Sequence, residues 1–112
     1  MRTFANLILV AALVSSLPLI ANAAETRITH FPNGQIADQY GLREYDGSNV
    51  QHGMYTHWYP DCIKAEEVEF NNGRKNGLYT AWYENGQKKL QCRFRNGILD
   101  GEVVAWFEDG RK

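Results

Sequence analysis

His52, His57 and Cys62 lie five residues apart and are of the types that bind zinc or carry out thiol chemistry. Two imidazoles and a thiolate would supply three corners of a tetrahedral metal site, and a cysteine beside a histidine is the minimal pair for nucleophilic attack on an acyl group. The spacing argues against the metal site. Successive side chains of an extended strand point to opposite faces, so an odd separation keeps these residues from converging on one ion unless a bulge intervenes. No orienting acid, oxyanion-hole loop or nucleophile turn accompanies His57 and Cys62. His57 also takes the place held by Ala81 and Ala105 in later copies of a repeated pattern, which points to local packing or edge exposure. The expectation is a protein with no catalytic residue, no metal site and no cofactor, hence not an enzyme.

The two cysteines raise a second chemical question, because an even count in an exported chain invites a disulfide. Cys62 falls in a turn segment, Pro60-Asp61-Cys62, whereas Cys92 falls mid-strand, where the preceding copy of the pattern has Val68. Six residues of strand span about 20 Å, and bridged Cα atoms lie within about 7 Å. An internal Cys62–Cys92 bond is therefore not expected. Cys92 reads as a small core residue, and Cys62 as an exposed thiol able to pair with another chain.

These residues are positioned by a repeat. Gly53, Gly77 and Gly101 are evenly spaced, and five residues after each comes Trp58, Trp82 or Trp106, followed by Tyr59, Tyr83 or Phe107. A turn segment comes next: Pro60-Asp61-Cys62, Glu84-Asn85-Gly86 or Glu108-Asp109-Gly110. A second turn, Asn71-Asn72-Gly73 or Arg95-Asn96-Gly97, follows Phe70 or Phe94. A fainter copy runs from Phe31-Pro32-Asn33-Gly34 through Tyr45-Asp46-Gly47, lengthened so that Phe31 and Tyr59 are further apart than Tyr59 and Tyr83. Asn-Gly and Asp-Gly favour tight hairpin turns, because the positive φ needed there costs Gly nothing and Asn or Asp little. Between the turns, Leu90, Cys92 and Phe94 alternate with Gln91 and Arg93, and Val68 and Phe70 with Glu67 and Glu69, which is the strand period of two. Tyr79, Ala81 and Tyr83 fall on one face, and Leu78, Thr80 and Trp82 on the other.

The fold class expected is all-β: tandem antiparallel β-hairpin repeats of about 24 residues, forming one elongated sheet behind an N-terminal signal helix. The units fall at about residues 29–52, 53–76 and 77–100, with a partial one at 101–112. A lone hairpin is marginal, so the units are expected to pair edge to edge and to stack their aromatics into a continuous layer.

Trp82-Tyr83-Glu84-Asn85-Gly86-Gln87-Lys88, with Phe94-Arg95-Asn96-Gly97 and Asp100-Gly101, resembles the MORN-repeat variant found in many bacterial proteins, some of them described as antitoxins. The resemblance covers roughly residues 29 to 112. It implies a binding or scaffolding module without catalytic residues, and the related eukaryotic repeats imply contacts with proteins and membranes. This chain departs from the pattern where Cys62 stands in place of the turn glycine and where the early copy carries insertions.

The residues singled out for partner binding are Trp58, Trp82, Tyr83, Trp106 and Phe107. A fixed-phase tryptophan ladder is either a stacking core or a contact surface, and a single-layer sheet cannot bury both of its faces. The acidic run Glu66-Glu67-Val68-Glu69 reads as a solvated strand face, with a cross-strand contact from Glu69 to Arg93. Val103 to Phe107 is an apolar, β-prone segment with no return strand after it, able to accept a strand from a second copy or another protein. The partner expected is a protein, met through the aromatic face or this terminal edge strand. The alternatives are an immunity or antitoxin-like role, or an envelope or lipid-surface module.

Residues 1–23 read as a signal peptide: Arg2 supplies the positive n-region, Leu7 to Ile20 the apolar stretch, and Ala21-Asn22-Ala23 the small-x-small cleavage pattern. A retained anchor is the competing reading, opposed by Pro18 and by Ser15-Ser16. Cleavage near Ala23 would place residues 24–112 outside the cytoplasm, periplasmic or secreted. Losing Arg2 from 12 basic and 13 acidic residues leaves a net charge of about −2. That balance lacks the basic footprint for nucleic acid or for strong binding to an anionic membrane.

Overall fold

A computed structural model describes residues 25–112; the expected signal helix and the cleavage position after Ala23 lie outside the described residues. Ten strands and no helix occur among the described residues. They are β1 (Glu25–His30), β2 (Ile36–Tyr45), β3 (Ser48–Gln51), β4 (Gly53–Trp58), β5 (Lys64–Asn71), β6 (Arg74–Lys75), β7 (Gly77–Trp82), β8 (Lys88–Arg95), β9 (Ile98–Leu99) and β10 (Val104–Ala105). They form one open antiparallel sheet in the order β1-β2-β4-β5-β7-β8-β10, with β3, β6 and β9 paired to β2, β5 and β8. Its dimensions are 51 × 35 × 13 Å. Two packed sheets stand about 10 Å apart between backbones, so a body 13 Å thick is a single layer.

Both long margins of the sheet are set by turn chemistry. On one margin the N–H of Phe31, Tyr59, Tyr83 and Phe107 donates to the carbonyl four residues on, at 2.8, 2.8, 2.8 and 2.6 Å. The residue at the third step of each turn, Gly34, Cys62, Gly86 or Gly110, donates back at 2.9 Å and has φ of 90°, 73°, 88° or 92°. On the other margin Asp46-Gly47, Asn72-Gly73 and Asn96-Gly97 each have two successive positive φ values, the requirement of the type I′ turns that suit the twist of a hairpin.

Hairpins β4–β5 and β7–β8 share one register. Gly53 faces Phe70 and Tyr55 faces Val68, as Gly77 faces Phe94 and Tyr79 faces Cys92. In each the pairing slips by one residue just before the tryptophan, between His57 and Trp58 and between Ala81 and Trp82. Hairpin β1–β2 slips at the corresponding place, between Thr29 and His30, so His30 stands where the later hairpins have tryptophan. The β1 segment, ETRITH, carries neither the glycine nor the tryptophan that marks the later copies.

The core is thin. Val68, 1% exposed, is the only large side chain fully buried among the described residues; Ala37, Ala65, Cys92, Thr56 and Thr80 complete the buried set. Val68 and Cys92 share a face with the edge-to-face pairs Tyr55–Phe70 and Tyr79–Phe94, whose centroids lie 6.2 and 6.1 Å apart. Each phenylalanine also faces a strand glycine held at positive φ, 94° at Gly53 and 124° at Gly77, a backbone conformation that side-chain-bearing residues rarely adopt.

One expected contact is absent. Glu69 does not meet Arg93, because β7 runs between β5 and β8; Glu69 faces Met54 and Arg93 faces Leu78. Within the apolar segment from Val103 to Phe107, the two-residue strand β10 stands at the end of the sheet order, continued by the Trp106 N–H donating to the Lys89 carbonyl at 3.0 Å.

Candidate functional site

The tryptophans lie along one face of the sheet, but they do not stack on one another. Neighbouring hairpins advance by two strands, about 10 Å, beyond the 4.5–7 Å reach of paired rings. Lysines bridge the gap. The Lys64 ammonium stands 5.5 Å from the Trp82 ring, and those of Lys88 and Lys112 stand 5.7 and 5.9 Å from Trp106. These lysines recur with the same period as the tryptophans, a spacing present in the sequence but overlooked beside the aromatic one. The expected continuous aromatic layer is thus a ladder of alternating tryptophan and lysine. Lys64 also pairs with Glu67 at 3.0 Å, on the face that carries the buried Thr56 and Thr80. Trp58 departs from the pattern: Ile36 takes the lysine's place beside it, and with Gln35 and Cys62 they line a depression of about 210 Å³.

The tyrosines that follow the tryptophans do something else. Tyr59 donates its hydroxyl to the Trp82 carbonyl and Tyr83 to the Trp106 carbonyl, each at 2.8 Å, so each hairpin is latched to the next. The Tyr83 ring lies 5.5 Å from the Lys89 ammonium. Phe107 has no hydroxyl, is 60% exposed, and carries the Arg111 guanidinium 5.3 Å from its ring. Of the residues singled out for binding, Trp58, Trp82 and Trp106 share the ladder, Tyr83 serves as a latch, and Phe107 is the most open.

The metal-like trio separates. His52 Nδ1 accepts the Asn72 N–H at 3.1 Å, as Asn76 Oδ1 accepts the Asn96 N–H at 3.0 Å, so His52 is a turn anchor. Cys62 sits in its turn with Sγ donating to Gln35 Oε1 at 2.9 Å. His57 stands on the face opposite the ladder, 2.7 Å from Asp38 Oδ1 through Nδ1. Asp38 is the orienting acid that the sequence reading did not find. It is remote from His57 along the chain and reaches it only because β2 pairs with β4, placing Asp38 directly across. Thr29 and Tyr55 donate to the same carboxylate at 2.8 and 3.0 Å. Partial burial pushes the Asp38 carboxyl up, but the hydrogen bonds from Thr29, His57 and Tyr55 and the His57 charge outweigh it and hold the group below its ordinary value of 3.8. Burial, then the hydrogen bond to Asp38 and nearby negative charge, pushes the Tyr55 phenol well above its ordinary value of 10.0.

An oriented histidine needs a nucleophile to do acyl chemistry, and the two thiols are placed elsewhere. Cys62 is at a turn tip, and Cys92 is buried opposite Tyr79, where burial pushes its thiol up against the smaller opposing pull of Lys75. Both are free in the structure. Among the described residues no group of three His, Cys, Asp or Glu is placed to hold a metal ion.

Comparison with protein-family models, curated proteins and solved structures returns no match to this chain.

Proposed function

We propose that the chain is a non-catalytic MORN-type module, built of tandem hairpin units and exported by its leader, that binds a protein partner through the face carrying Trp58, Trp82 and Trp106. The observation that carries this reading is the alternation of half-buried tryptophan rings with Lys64 and Lys88 on one face of a single-layer sheet. Indole rings held beside ammonium groups present large apolar contact area together with positive charge. Tryptophan dominates binding energy where a partner excludes water around it. The matching partner surface is apolar with a carboxylate placed to meet Lys88, since Lys64 is already paired with Glu67.

The test is crosslinked capture from the extracytoplasmic fraction by the tagged mature chain, compared with a Lys64→Glu/Lys88→Glu variant of unchanged far-UV spectrum. One dominant protein captured by the parent and lost from the variant supports the reading. Equal capture by both moves the contact off this face, and absence of any captured protein removes the protein-binding function.

A further inference from the structure

The face opposite the ladder holds the same aromatic arrangement twice, with one change of chemistry between the copies. In hairpin β7–β8, Tyr79 and Phe94 meet edge to face at 84°, and the Lys75 ammonium sits over both rings, 5.2 Å from Tyr79 and 5.1 Å from Phe94. In hairpin β4–β5, Tyr55 and Phe70 meet in the same way at 78°. The residue one repeat before Lys75 is Gln51, so no ammonium is supplied to this pair from the corresponding place. The residue one repeat before Leu90 is Glu66, so a carboxylate appears where the later hairpin has an apolar side chain. Gln51, Tyr55, Glu66, Val68, Phe70 and Lys75 together line a depression of about 260 Å³.

The geometry points to this depression as a binding seat for an external ammonium group, with the Tyr55 and Phe70 rings as its walls and the Glu66 carboxylate as its counterion. Ring faces attract cations through their quadrupole, and the chain's own Lys75 over the equivalent pair shows that the arrangement accommodates a primary ammonium. Glu66 takes part in none of the ion pairs among the described residues. Lys75 borders the depression, but its ammonium is placed over the next pair of rings. The loss of an internal cation and the gain of an anion at one junction are complementary changes. Both are met by the amine of a free organic molecule or by a lysine side chain of another protein. The seat is on the other face from the tryptophan ladder and does not depend on the function proposed for that face.

The experiment is a titration of the mature chain, followed by 1H–15N spectra, with methylammonium, N-acetyl-lysine amide and the uncharged N-acetyl-norleucine amide. Glu66→Leu and Gln51→Lys serve as variants, since each installs the residue this chain already uses one repeat later. Saturable shifts of the Gln51, Tyr55 and Glu66 amides are expected with the ammonium probes and not with norleucine. Affinity should fall at least tenfold in both variants, in Gln51→Lys because the new side chain occupies the seat. Saturation by N-acetyl-lysine amide alone assigns the seat to a protein lysine, and saturation by methylammonium as well extends it to free amines. Equal shifts with the norleucine probe, no saturation with either amine, or undiminished binding by Gln51→Lys would each overturn the proposal.

Discussion

Cys62 is held at φ 73°, at the turn position where Gly34, Gly86 and Gly110 have φ near 90°. Left-handed backbone costs a residue with a Cβ about 1–2 kcal/mol, because the Cβ crowds the following carbonyl. Glycine avoids that cost but loses roughly 0.5–1 kcal/mol more chain entropy on folding. Cys62→Gly should therefore recover the difference, whereas Cys62→Ala keeps the strain. Both variants lose the Sγ contact to Gln35, which sits at an exposed tip and cancels in the comparison. The glycine variant is expected to be more stable than the alanine variant by about 0.5–1 kcal/mol. With a urea slope of about 1 kcal/mol/M for a domain this small, the midpoints should differ by roughly 0.5–1 M. Paired urea titrations followed by tryptophan fluorescence measure this directly under reducing conditions. A glycine variant no more stable than the alanine variant would refute the claim that backbone strain, rather than the thiol, distinguishes this turn.

Tyr83→Phe removes the hydroxyl that the Trp106 carbonyl accepts and should cost about 1 kcal/mol in urea unfolding with an unchanged far-UV spectrum. In Gly41→Ala the new Cβ would collide with the His52 carbonyl oxygen, a backbone atom with little freedom to yield. A loss of about 1–3 kcal/mol is expected there, read as a fall of several degrees in Tm. Stability should also fall at both pH extremes. The phenol of Tyr55 is raised on folding, so its contribution is complete below pH 10.0 and is lost as pH rises above that value. The carboxyl of Asp38 is depressed on folding, so its contribution is complete above pH 3.8 and is lost as pH falls through the lower folded value. Melting curves across pH for the parent and Tyr55→Phe check the alkaline limb, and an identical alkaline decline in the two would remove Tyr55 as its source.

The positions of the two thiols show how far local reasoning reaches. Repeat spacing and strand alternation were enough to put Cys62 at a tip and Cys92 inside a strand, because the repeat sets Pro60-Asp61-Cys62 in register with Glu84-Asn85-Gly86 and alternation acts within a few residues. Asp38 beside His57 was not legible in the same way. The early copy is longer than the later ones, so the spacing that aligns later residues does not align Asp38 with its partner. The lysines of the ladder were visible as a spacing, yet their placement over indole rings depends on the separation of hairpins, which residue types do not state. Glu69 and Arg93 illustrate the converse: an attractive charge pairing in the sequence is separated by an intervening strand.

Residue types and spacing by themselves determined an all-β chain of hairpins, its turn positions and the two-sided distribution of aromatic residues. Positive φ at Asn-Gly and Gly positions and the period of two are local constraints and need no knowledge of neighbours. Tertiary structure decided the contacts across strands: Asp38 with His57, lysine between tryptophans, tyrosine latched to the next hairpin, and Glu66 left beside an aromatic pair without its own lysine. The physical reason is that strand pairing brings distant residues within about 5 Å, hairpins repeat only every 10 Å or so, and a one-residue bulge before Trp58 and before Trp82 resets the register.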